Sequence, residues 1–389
     1  MDYQKALDSE AARKAQDTLS HRFKFSQQRA AEVWDKVRTM VIVDHDVIVD
    51  DMHFDVQDAA GATPKYKVTI NGAEINLRVH AHALRQMASE VSIPASFVNT
   101  LVSSSEAWEW QELVYLLNER FKKSQFKQRS FRRRASFINR TVSDEVRGFV
   151  SPSFKIHLAT PPLLVEFATA CYSFGAMPVA ATGSDLSFTF HSALPHVFEP
   201  AAGEFIALGC SFSNSDFGAG SMQVKMNVLR LNGGGTSLCV VKPIMSKRHN
   251  GAARKDLDEM SSTISNETIE KMIDAAKGQV KDAVIESLST ASVNTFLEVV
   301  AKAMTEAISW PRLQNYFAGK LTQDEILSIE AVIEGKRSTT LPPIKHDVSG
   351  APVINLWFAS NAVAEIADLL TDDERKSDLM ELAGGLLLK

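Results

Sequence analysis

Eight of the fifteen residues in "RFKKSQFKQRSFRRR", positions 120 to 134, are Lys or Arg, and none is acidic. Outside it the chain carries 34 basic against 47 acidic side chains, so the stretch runs against an overall net charge of -5. Clustered cations release condensed counterions from phosphates, and aromatic rings offer faces on which unpaired bases stack. The chemistry on offer is polyanion binding by Arg120, Lys122, Lys123, Lys127, Arg129, Arg132, Arg133 and Arg134, with Arg140, Arg147 and Lys155 extending the track. The competing reading is a solvated loop or exposed edge strand, where Lys and Arg guard against aggregation. Spacing weakens the aromatic part. Residues five apart, as Phe121, Phe126 and Phe131 are, lie about 140° apart on a helix and on opposite faces of a strand, so they cannot form one platform. Phe121 is expected in the core and the phenylalanines are expected as anchors.

Other constellations are weaker. "DHDVIVDDMHFD" sets Asp44, His45, Asp46, Asp50, Asp51, His53 and Asp55 at alternating positions, which a metal could use, but the spacing matches no ligand motif. A pair of short strands with a solvated acidic face is the plainer reading. "NGGGTS" at 232 to 237 is glycine-rich after a strand, yet it lacks the phosphate-loop lysine and no helix follows directly. No H-E-x-x-H or G-x-S-x-G occurs. His191 and His196 flank an expected turn with no nucleophile or orienting acid nearby in sequence. Cys171, Cys210 and Cys239 are odd in number and widely spaced, so three free thiols are expected rather than a disulfide framework.

The elements that must position these residues follow from periodicity. Residues 1 to about 38 read as helix, with Val33, Trp34 and Val37 at helical spacing. "MVIVDHDVIVDDMHFDV" and "YKVTINGAEINLRV" alternate as strands, and Asn71-Gly72 is a hairpin signal. Trp110, Leu113, Val114, Leu117 and Phe121 form one helical stripe. "FRRRASFINRTVSDEVRGFVSP" reads as a hairpin turning near Ser143-Asp144. Thr160 before Pro161 reads as an N-cap opening a helix that stops at Gly175. Three further strands follow to residue 242, and the expectation is one antiparallel sheet over 130 to 242 with that helix packed on it. Beyond 255 the chain reads as helical, with a stripe from Ile269 to Leu288 and capping-box spacing at Thr322/Glu325 and Thr371/Glu374. The stretch from Gly335 to Pro352 reads as a linker.

At 389 residues with 45% hydrophobic content, a sizeable core is affordable. No apolar run is long enough to span a bilayer, and the polar amino terminus shows no signal segment. The fold class expected is α+β: a central antiparallel sheet with packed helices, a helical N-terminal segment and a largely α-helical C-terminal region. Its expected divisions are 1 to 80, 81 to 255 and 256 to 389.

In this order, "LRQMASEVSIPASFVNTLV", "LLNERF", "VRGFVSPSFKIHLATPPLL", "SNSDFGAGSMQVKMNVLRL", "SKRHNG", "NLWFASNAVAEIADL" and "AGGLLLK" resemble the phage/plasmid-like proteins grouped as domain of unknown function 932. The resemblance covers roughly residues 80 to 389, and departs from the pattern after Leu231, where "NGGG" stands in place of a Cys-x-Asn-like segment. It implies a setting in bacterial mobile elements, inside the host cytoplasm. By fold-level analogy with single-strand annealing proteins, the expected function is non-enzymatic binding of single-stranded DNA in recombination, annealing or replication. The alternative is a structural or protein-interaction role, in which the basic stretch meets an acidic partner or the "DHDVIVDD" face of another copy. Neither needs a nucleotide, metal or organic cofactor. Nucleic acid and a homo-oligomeric partner are the expected associations; a membrane or a small-molecule ligand is not.

Overall fold

A computed structural model describes residues 9–49, 52–57, 65–70, 75–123, 128–136, 142–150, 160–232, 237–247, 265–335 and 354–389. Among these, helix α1 (Glu10–Arg38) leads into strands β1 (Met40–Ile48), β2 (Met52–Gln57), β3 (Lys65–Ile70) and β4 (Ile75–Val79). Helices α2 (Ala81–Glu90), α3 (Ala95–Ser103) and α4 (Ala107–Lys122) precede β5 (Gln128–Ser136) and β6 (Val142–Val150). Helix α5 (Thr160–Ser173) is followed by β7 (Met177–Gly183), β8 (Phe188–Ala193), β9 (Phe198–Ala201), β10 (Glu204–Asn214), β11 (Met222–Arg230) and β12 (Ser237–Lys247). The rest is helical: α6 (Asn266–Leu288), α7 (Thr290–Thr305), α8 (Trp310–Phe317), α9 (Gln323–Ile333), α10 (Leu356–Leu369) and α11 (Asp373–Leu386). The chain is α+β with a helical start and a helical C-terminal region.

The strands build two sheets, not the single one expected. The first has the order β1-β5-β6-β4-β3-β2, antiparallel except for the parallel pair β4 and β6; the second runs β12-β11-β10-β8-β7, with β9 on β10. The β5–β6 hairpin therefore belongs with β1 to β4, apart from the sheet that carries α5. Hydrogen bonding also crosses the division expected at residue 80, because β1 pairs with β5 over its whole length. Pairing partners far apart in sequence decided this, and periodicity within each strand carries no information about them.

Each sheet has its own core. Against the first sheet, α2, α3 and α4 bury Leu84, Met87, Leu117 and Phe121 onto Phe54, Val68 and Phe131. The Phe54 and Phe121 rings stack at 5.4 Å, and Phe131 meets Phe149 at 5.7 Å. All five stripe residues of α4 are buried, as their spacing predicts. The second core joins α1, α5 and the C-terminal helices to the second sheet. There the Phe167 ring of α5 lies 5.5 Å from Phe212 of β10. Helix α10 is buried almost all round, which its run of Ala, Ser and Asn side chains permits, and Asn355 caps it by accepting the Phe358 N–H at 2.7 Å. Helix α11 lies so close to β12 that a Cβ on Gly384 would fall 1.8 Å from the Val240 carbonyl oxygen.

Local signals placed several ends. Gly175 has φ +71 at the stop of α5, and Thr322 with Glu325 forms a complete capping box on α9. Others move. Val142 already belongs to β6, so Ser143 and Asp144 are strand residues and not the turn. Thr160 is the first residue of α5, and a distant carboxylate caps it (below). The cap of α11 is Asp372, whose Oδ1 accepts the Arg375 N–H at 3.2 Å, one residue beyond Thr371. β3 and β4 pair as a hairpin ending at Ile70 and Ile75. Asn71 and Gly72, the linker beyond Gly335 and most of "NGGGTS" lie outside the described residues.

Candidate nucleic-acid interface

The basic stretch forms the end of α4 and then β5, an interior strand between β1 and β6. The edge-strand reading is therefore corrected: the edges of that sheet are β1 and β2. Interior strands hydrogen-bond on both sides, so the side chains of β5 have only two places to go, one on each face.

On one face, antiparallel register sets Arg132 opposite Asp44 and Ser130 opposite Asp46. The guanidinium forks onto the carboxylate, Nε to Oδ1 at 3.0 Å and a terminal nitrogen to Oδ2 at 3.1 Å. Its remaining terminal nitrogen donates to the Asp216 carbonyl at 2.6 Å, and the residue is only 4% exposed. Ser130 donates to Asp46 at 2.6 Å. The acidic alternation of β1 is thus met by the basic strand of the same chain. Among the described residues no group of three or more His, Cys, Asp or Glu is placed to hold a metal. Asp50 and Asp51 fall outside them.

On the other face Phe131 enters the core and Arg129 pairs with Glu90 of α2 at 2.9 Å. Arg133 is half-buried, and its Nε has no hydrogen-bond partner among the described residues. Arg134 pairs with Ile42 in the β1–β5 ladder. Arg147 sits where the β5–β6 register shifts, between Val146 and Gly148, and its guanidinium meets Glu145 at 2.8 Å and Asp185 at 3.9 Å. Lys127, Arg140, Lys155 and Phe126 lie outside the described residues.

At the end of α4 the picture is different. Arg120 donates to the Val91 and Ser92 carbonyls at 3.0 and 3.1 Å, closing the C-terminus of α2. Lys122 is exposed and pairs with Glu119 one turn back at 2.9 Å. That hydrogen bond holds the Glu119 carboxyl below its ordinary pKa. Lys123 is exposed at the C-cap. The stretch is therefore not one continuous track: Arg129 and Arg132 leave β5 on opposite faces, and the α4 cations stand at its rim.

The partners that sequence reasoning missed are Glu90 and Asp216; Asp44 and Asp46 were named as an acidic face, but not as meeting the basic strand of the same chain. Asp216 lies in the β10–β11 connection, where its Oδ1 accepts the Thr160 N–H at 3.0 Å and so caps α5. The adjoining Phe217 carbonyl accepts from Gln86 at 3.0 Å and lies 3.2 Å from His82 Nε2. A carbonyl only accepts, so that nitrogen carries the proton.

A second polar cluster lies within the second sheet. His191 Nδ1 is 2.7 Å from Ser211 Oγ, so the fold supplies a hydroxyl that the sequence did not place there. Asn227 Nδ2 donates to both the Ser192 carbonyl and Ser211 Oγ, which fixes its amide orientation. A histidine beside a serine is the geometry of an activated nucleophile. Here burial lowers the imidazole pKa to about 3, too weak a base near neutrality, and both residues are buried. The pair is structural. All three cysteines are free and buried, with Cys171 and Cys210 sulfurs 3.5 Å apart.

No helix among the described residues is long and apolar enough to cross a membrane. Comparison of the chain with protein-family models, curated proteins and solved structures finds no match.

Proposed function

We propose that the protein binds single-stranded nucleic acid at the rim formed by the end of α4, and not along β5. The observation that supports this is the division of the cations by what holds them. A phosphate that took Arg132 would break a buried ion pair, at about 3–5 kcal/mol, and leave Asp44 uncompensated. Taking Lys122 from Glu119 breaks only an exposed, solvent-screened pair, a loss that counterion release outweighs. Lys123 beside it is exposed, and Arg120 adds charge at the same corner. The setting in a bacterial mobile element, working in the host cytoplasm, rests on the resemblance described above. No cofactor enters this reading.

Fluorescence anisotropy of a labelled oligothymidine, titrated at several salt concentrations, tests it. Each phosphate contact contributes about 0.7 to the slope of log affinity against log salt. Replacing Lys122 and Lys123 by Ala should flatten the slope by about 1.4. Arg132→Met should leave the slope unchanged wherever the protein stays folded. Absence of salt-sensitive binding by the unmodified protein removes nucleic acid as a partner and leaves the protein-interaction role. A slope that responds to Arg132 but not to the two lysines would put the contact on β5 instead.

A further inference from the structure

Between α1 and α5, over the end of the second sheet nearest β7, a cavity of about 580 Å³ opens to the surface. Phe167 and Phe190 wall it, Trp34 and Tyr172 stand at its rim, and the small side chains of Ala31 and Ala168 leave the space empty. Its size falls within the range of about 300–1,000 Å³ typical of small-molecule sites, and its apolar lining with a few convergent polar groups matches them. In a chain with 23% charged residues, no Asp, Glu, Lys or Arg lines it. A charged occupant would lose its hydration without an opposite charge to replace it. Its polar lining divides: Gln27 and Thr169 are exposed at the surface, while His191, Ser192 and Cys171 are buried. Ser192 and Cys171, both buried, line the cavity with Ser192 Oγ 3.3 Å from the Cys171 sulfur. Ser192 donates its proton to the Cys210 carbonyl at 3.0 Å, so its oxygen faces incoming groups as an acceptor. Tyr172, 82% exposed, offers a large ring to whatever lies against it.

We propose that this groove binds an uncharged, mainly apolar small molecule carrying one hydrogen-bond donor, its apolar body between the Trp34, Phe167 and Tyr172 side chains and its polar group at the Ser192–Cys171 floor. This site is separate from the α4 rim and stands whether or not nucleic acid binds there. It reverses the sequence-based expectation of no small-molecule ligand, because the groove is made by two helices 130 or so positions apart that periodicity cannot bring together.

The neutral fluorophore N-phenyl-1-naphthylamine, whose amine is such a donor, is the probe. Titrated into the full chain, it should show saturable emission enhancement at one site per chain. Ala168→Trp and Ala31→Trp, which fill the space, should each weaken that binding at least tenfold, with the circular-dichroism melting curve unchanged. Tyr172→Ala removes an exposed wall without touching the core, so a several-fold loss there reads the site even where a tryptophan variant misfolds. Oligothymidine should not compete. Non-saturable binding, or binding that survives all three substitutions, overturns the proposal. So does a dimer in sedimentation that Ala31→Trp dissociates while the probe fails to bind, since a second copy would then be the occupant.

Discussion

Among the described residues each sheet holds one buried arginine forked onto a carboxylate, and the two are found in very different stretches of sequence. In the first sheet Arg132 meets Asp44 from within the most basic segment of the chain. In the second, Arg230 of β11, 2% exposed, meets Glu204 of β10 at 3.1 Å through both Nε and a terminal nitrogen, and its neighbours in sequence are Leu229 and Leu231. Local charge density singled out the first and gave no hint of the second. What the two share is an opposed strand with an acid in reach, and that is what settles the fate of a strand arginine. A dense basic run is therefore a poor guide to where free positive charge will be found.

The comparison can be broken by substitution. Arg132→Met should cost about 3–5 kcal/mol of unfolding free energy, because among the described residues Asp44 has no other hydrogen-bond donor. Arg230→Met should cost less, since Glu204 keeps the Trp357 indole N–H at 3.3 Å. Chemical denaturation of the two variants side by side reads the difference. A larger loss at Arg230 would mean that the leftover acid does not set the cost. Pairing Arg132→Met with Asp44→Leu should recover much of the loss, since no buried charge is then stranded.

A smaller effect depends on pH. Burial keeps His191 neutral down to about 3, whereas the unfolded chain protonates it near 6.5. Between those values the unfolded state binds the extra proton, so stability falls as pH falls, by about 2 kcal/mol at pH 5 relative to pH 8. Denaturation midpoints measured from pH 8 to pH 5 should show this decline. His191→Gln should make it shallower, leaving the part due to His80 and His82, which burial also holds below the ordinary value, while Arg132→Met should leave its shape unaltered. The smallest effect belongs to the rim: Lys122→Ala should change stability by no more than about 0.5 kcal/mol. A loss of several kcal/mol there would refute the division of cations on which the proposed function rests.

Legibility tracked distance along the chain. The stripe from Trp110 to Phe121, the left-handed stop at Gly175 and the Thr322–Glu325 box span at most three turns of helix, and each was readable. The facing of Arg132 and Asp44 was not, although both strands alternate in a way that fits, because register depends on a partner 88 residues away. The Ser211 hydroxyl beside His191 is 20 residues away on a neighbouring strand, and strand order had to be known first. The candidate site suffered most. Charge was counted correctly, but neutralisation is a property of pairs in space.

The β10–β11 connection carries a kinetic consequence. Through Asp216 and Phe217 it holds Arg132, Thr160, His82 and Gln86, which lie 84, 56, 135 and 131 residues distant. The bond to Arg132 needs β5 seated in the first sheet and the β10–β11 hairpin closed in the second; those to His82 and Gln86 need α2 in place, and that to Thr160 needs α5. Between the closing of the hairpins and the docking of that short turn, α5 has no carboxylate at its N-terminus and Arg132 lacks its third acceptor. The turn ties β5 and α2 of the first sheet to α5 on the second, a latch between the two cores.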